Sequence, residues 1–229
     1  MLARSRVILL SIVVIVSVIL VATPLIANQH FLLVSLLFMT LTFVPFIIRF
    51  ERRKVAGREL VILAVLAAIA AVSRVPFASI PSVQPTTFVI IVTGIAFGAE
   101  SGFVVGALAA LVSNLFLGQG PWTPWQMYAW GMIGLVAGFL RNTWLIKKSF
   151  GRIIFGFFSG ILFGWVMNLW YFVSLGDQVK FAEIIAYYGA SMYFDLAHAL
   201  SNVFFLIVFA NSWIKILQRF RKKYGLLDG

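Results

Sequence analysis

The sequence predicts an all-α integral membrane protein: a six-helix core behind an N-terminal two-helix hairpin, with both termini cytoplasmic. Composition predicts the class, because 62% hydrophobic and 11% charged residues leave too little polar surface for a soluble globule. Charge placement predicts the orientation. Threaded as eight apolar spans, the chain carries 18 Lys and Arg, of which only Arg74 and Lys180 fall in the second set of alternate connections. Short loops rich in Lys and Arg stay cytoplasmic, so both ends lie inside.

The elements follow in order. Arg4 and Arg6 before an apolar run resemble a signal peptide, but a second span follows at once with no convincing cleavage site, so a retained helix is expected from about Val7 to Val21. After Pro24 and the polar Asn28-Gln29-His30 turn, span two covers Phe31 to Phe50, with a kink expected at Pro45. The basic run Arg49, Arg52, Arg53, Lys54, Arg58 marks an inner boundary. Span three, Leu60 to Ser73, is short and alanine-rich, and it ends in a stretch broken by Pro76, Pro81 and Pro85. Span four, Thr86 to Ala99, is also short for a hydrocarbon core of ~30 Å. Glu100-Ser101-Gly102 is expected to turn the chain into span five, Phe103 to Leu117.

A Gly118–Pro124 outer loop then leads to span six, Trp125 to Leu140, and an inner loop bearing Arg141, Lys147, Lys148 and Arg152. Span seven is Ile153 to Leu175. Span eight, Glu183 to about Leu217, is long enough to protrude. The β-branched, nearly glycine-free hairpin reads as peripheral and lipid-facing. Residues 1–57 therefore form the hairpin and its basic loop, and residues 58–229 the membrane core.

Several function classes are excluded by what is missing. A net charge of +11 would suit nucleic acid, but cations at span ends anchor helices to an anionic inner leaflet, and no nucleic-acid partner is expected. Zero cysteines exclude thiol chemistry and cysteine-ligated metals, and the two histidines lie in different parts of the chain, so no metal site is expected. The sequence holds no Walker A, G-x-S-x-G or H-E-x-x-H motif, so neither ATP hydrolysis nor hydrolase catalysis has residues, and the chain is read as no enzyme.

Three constellations remain. Small residues four apart let helices approach closely in lipid, and Gly94/Gly98, Gly102/Gly106, Gly134/Gly138 and Gly156/Gly160/Gly164 read as internal packing. Ala64/Ala68 and Ala67/Ala71 on span three read either as the same packing or as a smooth face for another membrane protein. Trp122, Trp125, Tyr128 and Trp130, beside Gln119 and Gln126, form either an interfacial aromatic belt or a wall for a flat, partly apolar ligand. Polar residues inside spans are Asn114, Asn168, Tyr193, Asp195, His198 and Asn202. Asp195, His198 and Asn202 share one helical face, which leaves a ligand site, a proton relay or an Asp195–His198 hydrogen bond.

From Arg58 onward the chain resembles the substrate-binding S component of energy-coupling factor (ECF) vitamin transporters. The resemblance rests on Ala64-x-x-x-Ala68, the proline-bearing loop into Pro85-Thr86-Thr87-Phe88, Gly94-Ile95-Ala96-Phe97-Gly98 followed by Gly102-Phe103-Val104-Val105-Gly106, and Asn114-Leu115-Phe116-Leu117-Gly118. The stretch Gln119-Gly120-Pro121-Trp122-Thr123-Pro124-Trp125-Gln126 is most similar to the cobalamin-specific members.

The resemblance implies a subunit of a bacterial cell membrane that captures a vitamin, cobalamin foremost, at the outer face. A coupling membrane subunit and two ABC ATPases would then power inward release with ATP. It implies partner contacts at Ala64, Ala68 and Ala71, and substrate sites under the loops Arg74–Pro85 and Gly118–Pro124. The expected ligand contacts are Trp122, Trp125 and Tyr128 on apolar faces, with Gln84, Thr86, Gln119, Gln126, Asn168, Tyr193, Asp195 and His198 supplying polar groups. The near absence of charge in the outer loops points to a large neutral ligand. Riboflavin, a pantothenate-like acid or a queuosine precursor stays open within the family. Outside it, a proton-coupled secondary transporter built on Asp195 and His198, or an assembly factor without a ligand, stays open as well.

Overall fold

A computed structural model of the chain describes residues 57–120, 122–175 and 180–225, together with Leu37. The expected N-terminal hairpin lies outside the described residues. The helices are α1 (Gly57–Val72), α2 (Pro85–Phe97), α3 (Ala99–Leu117), α4 (Thr123–Leu140), the short α5 (Trp144–Lys147), α6 (Ser149–Leu175) and α7 (Phe181–Tyr224). A 3-10 turn, Val75–Phe77, follows α1. By length and composition, α1 with its turn, α3, α6 and α7 are each able to cross a membrane.

α2 is the hub of the bundle. Its 13 residues are all buried, and they rise only about 20 Å at 1.5 Å per residue. It packs against α1, α3, α4, α6 and α7, which explains its uniformly apolar sequence. The hydroxyls it carries are satisfied inside the bundle: Thr86 Oγ1 donates to the Ala70 carbonyl (2.7 Å) and Thr93 Oγ1 to that of Val89 (2.7 Å). Pro85 opens the helix at a position where its missing N–H costs nothing.

The turn between α2 and α3 is a single residue. Gly98 adopts φ +103°, and its N–H closes on the Gly94 carbonyl at 2.9 Å. The turn expected at Glu100-Ser101-Gly102 is therefore corrected: those residues are the first turn of α3, where the acidic Glu100 complements the helix dipole. The glycine spacings meet as expected of internal packing. A Cβ on Gly134 would run into the backbone of Gly102, and one on Gly94 into the Gly134 carbonyl, so α2, α3 and α4 pack backbone to backbone.

The connection after α4 also departs from a plain basic loop. Arg152 belongs to α6 and is buried; its Nη1 donates to the carbonyls of Ile146 and Lys147 (3.0 Å each), and its Nη2 to Asn211 on α7. It holds the end of α5 to the two longest helices. α7, 44 residues or about 66 Å, outruns any hydrocarbon core and ends in Arg221, Lys222 and Lys223 before a left-handed Gly225. Arg221 Nη1 reaches the Ala96 carbonyl at 3.2 Å, so the end of α7 lies beside the end of α2. Arg74 lies at the opposite end, where α1 stops and α2 begins, and Lys180 opens α7 further out, since Gln84 at the start of α2 already meets Ser201 nearly midway along α7.

Candidate functional site

At the Arg74 end the segment between α1 and α2 folds over a cavity of about 390 Å³, lined by Arg74, Phe77, Ile80, Pro81, Gln84 and Leu117 among others. Two prolines in this segment prevent a continuous helix, and Ser82, with φ 60°, turns the chain back toward α2. The cavity therefore lies between the loop after α1 and the end of α3.

Arg74 dominates its wall. Nη1 donates to Asn114 Oδ1 at 2.9 Å and to Ser113 Oγ, both on α3, and the guanidinium carbon lies 4.9 Å from the Trp130 ring centre. No carboxylate pairs with it among the described residues. Gln84 is fixed through its backbone N–H to Ser201 Oγ (3.1 Å), while its side-chain oxygen is buried without a partner. Thr86 lies at the same end, 3.3 Å from Ser73 Oγ.

Behind Arg74, polar groups continue into the loop before α4. Asn114 Nδ2 donates to Gln126 Oε1 (2.7 Å) and Thr123 Oγ1 (3.0 Å), and Thr123 Oγ1 donates to Gln119 Oε1 (2.9 Å). Gln119 Nε2 closes on the Leu111 carbonyl at 2.9 Å. Gln119 and Gln126, expected as ligand donors, are thus engaged inside the protein, joining the end of α3 to the start of α4. Beneath them Trp130 Nε1 donates to Thr87 Oγ1 (3.0 Å), which is 2.8 Å from His198 Nε2; Phe163 stacks on Trp130 and meets His198 edge-on.

A second polar group is separate. Asn168 Nδ2 donates to Ser191 Oγ at 2.6 Å, and Ser191 Oγ donates to Asp195 Oδ2 at 3.4 Å. Asp195 packs where a Cβ on Gly164 would collide with its carboxylate. The Asp195–His198 hydrogen bond, one of the three readings of this face, is not formed among the described residues. Three residues along a helix are offset by about 60°, and across that offset His198 bonds Thr87 on α2 while Asp195 packs against Gly164 on α6. Trp125 and Tyr128 are buried and pack with Met132, Val166 and Trp170, whose indole N–H is buried without a partner, and Trp122 meets Trp170 edge-on at 5.8 Å. Tyr193 stands apart, 72% exposed on the outer flank of α7.

The alanines divide as well. Ala64 and Ala68 are exposed on α1, whereas Ala71 has no exposed surface. Ala71, expected in a partner face with Ala64 and Ala68, thus packs inside the bundle, at the end of α1 from which Arg74 reaches across to α3. Residues that sequence reasoning missed are Arg74, Ser113, Thr87 and Ser201. Arg74 alone carried a signal, as an isolated cation at the end of an apolar span.

This is the anatomy of a multi-pass helical membrane protein with a polar cavity at one end of its bundle and a concentration of basic residues at the other. The chain belongs to the family described as "ECF transporter, substrate-specific component", whose model it matches over residues 58–219. Members of that family are substrate-binding subunits of transporters rather than a known enzyme class, and generally associate with a coupling membrane subunit and ATPases. Among curated proteins it is similar to a UPF0397 protein of Aliivibrio fischeri strain MJ11, 25% identical over 141 residues that cover 56% of this chain and 74% of the relative. A UPF0397 protein of Vibrio atlanticus is 28% identical over 88 residues, covering 36% of this chain and 48% of the relative. No solved structure matches the chain.

Proposed function

We propose that this chain is the capture subunit for a vitamin-class nutrient, taking it up at the outer face into the cavity between the Arg74–Gln84 segment and the end of α3. The observation that carries the reading is the position of that cavity: its lining comes from the loop after the first core helix and the end of the third, with Arg74 and Gln84 both facing it. Basic residues concentrated at the opposite end support an outward-facing cavity and cytoplasmic termini around a six-helix core. Ala64 and Ala68, exposed and four residues apart, support docking of a coupling membrane subunit that works with two ATPases.

A volume of about 390 Å³ favours a small nutrient, in the range of a pantothenate-like acid or a queuosine precursor. Cobalamin is the second reading. It is bulkier than this cavity, so it requires the segment 78–84 to swing away. What favours it is the edge-on Trp122–Trp170 pair and the buried, unpartnered Trp170 indole N–H, which would meet a peripheral amide once the loop before α4 opened. A proton relay has less support, because Asp195 and His198 engage different partners.

Equilibrium binding by the purified full chain tests this reading against pantothenate, riboflavin, a queuosine-precursor base and cobalamin. Saturable binding of one of them, lost on closing the cavity with Gln84→Trp, is the expected result. Tight binding that Gln84→Trp leaves untouched would place the site elsewhere.

A further inference from the structure

We infer that the ligand of this cavity is a small organic acid whose carboxylate is gripped by Arg74. The inference rests on the reading of the chain as a capture subunit and names the chemical class of its substrate. A guanidinium has five N–H donors in a rigid fork. Here Nη1 is occupied by two neutral acceptors on α3, Ser113 and Asn114, which fix the plane of the group without neutralising it. The Trp130 face, 4.9 Å from the guanidinium carbon, holds it further. Nε and Nη2 have no partner among the described residues, and Arg74 lines the cavity. That leaves the edge of the fork that matches the two oxygens of a carboxylate.

Position adds weight. A cation at the end of an apolar span is costly without a counterion, yet no Asp or Glu pairs with this one among the described residues. The missing countercharge is the ligand's. Gln84 also lines the cavity, and its side-chain oxygen is buried without a partner, so a hydroxyl or amide N–H on the acid satisfies it once the side chain turns toward the cavity. The cavity's size, about 390 Å³, sets the third limit, a compact molecule. This class differs from the neutral ligand suggested by the nearly uncharged outer loops, because the one cation of the loop after α1, Arg74, lines the cavity itself.

The test is equilibrium binding by the full chain to matched pairs: nicotinate with nicotinamide, pantothenate with pantothenol, and biotin with biotinamide. At least one acid should bind, and its uncharged counterpart at least tenfold more weakly. Arg74→Gln should weaken the acid about 10- to 100-fold, and Arg74→Lys, which keeps the charge and loses the fork, should fall between. Equal affinity for an acid and its uncharged counterpart overturns the inference. So does tight binding of riboflavin or cobalamin with the same Kd in the wild type and Arg74→Lys, which leaves the capture reading standing. A wild-type chain that binds no acid, neither of these neutral vitamins and no queuosine-precursor base overturns both.

Discussion

Arg74 Nη1 and Asn114 Oδ1, 40 residues apart in sequence, meet at 2.9 Å and join the end of α1 to the last turn of α3. Through Asn114 the same contact extends to Gln126 at 2.7 Å, so the arginine at the cavity wall and the start of α4 form one connected unit. Placing a carboxylate at Asn114 is the sharpest way to perturb it. Asn114→Asp should give Arg74 a built-in counterion and abolish acid binding in titration calorimetry while the protein still elutes as a folded species. Undiminished acid binding in this variant would count against Arg74 as the anion's partner.

Glycine packing gives a prediction independent of ligand. Gly134→Ala should destabilise the protein by about 1–3 kcal/mol, because the backbones of α3 and α4 leave no room for a methyl group. Gly189→Ala, where an added Cβ meets nothing within 4 Å on α7, should be neutral or stabilising by about 1 kcal/mol. Thermal unfolding in one detergent compares the two. A smaller loss at Gly134 than at Gly189 contradicts the packing described.

Thr87 is the hinge between Trp130 and His198. Thr87→Val keeps the shape but strands the Trp130 N–H in the core, and should cost about 1–3 kcal/mol in the same assay. Val at Thr93, which bonds only within its own helix, should cost less.

The aromatic residues separate by burial. Trp125→Ala should lose about 3–5 kcal/mol of stability, as expected for a side chain 1% exposed in the core. Trp122→Ala, at the loop and only half-buried, should leave membrane insertion intact and cost less. If nutrient affinity falls with Trp122→Ala alone, the aromatic loop belongs to the binding site.

The alanine face makes a partner prediction. Ala64→Trp and Ala68→Trp should leave the isolated chain folded, since both positions are exposed, and reduce co-purification with the coupling subunit at least tenfold. Ala71→Trp should instead impair folding, because that position has no exposed surface. Normal complex formation by both exposed variants would remove α1 as the docking face.

Much of the fold was legible because apolar runs were bounded by strong punctuation. Pro85 and Pro124 sit at helix starts, and Gly98 and Gly118 at helix ends, with backbone angles that suit glycine. Four-residue glycine spacing likewise revealed which helices meet closely. The boundary at Gly98 was misread because the polar Glu100-Ser101-Gly102 step looks like a turn, whereas it forms the first turn of α3. The site was legible only in outline. Gln119 and Gln126 looked like free amides, and only the fold shows that Asn114 and Leu111 engage them. Arg74 looked like a stray outer cation until the chain brought it to Ser113, Asn114 and Trp130. Such pairings over 40 residues leave no local pattern.

The most direct test of the central claim, that this chain captures a nutrient but supplies no energy for its transport, is uptake into proteoliposomes. One set holds the purified chain alone, and the other holds it with a coupling membrane subunit, two ATPases and ATP. Capture without accumulation by the chain alone, and ATP-dependent accumulation only in the complete set, is the predicted result. Accumulation driven by the solitary chain, or by a proton gradient in the absence of ATPases, would contradict it.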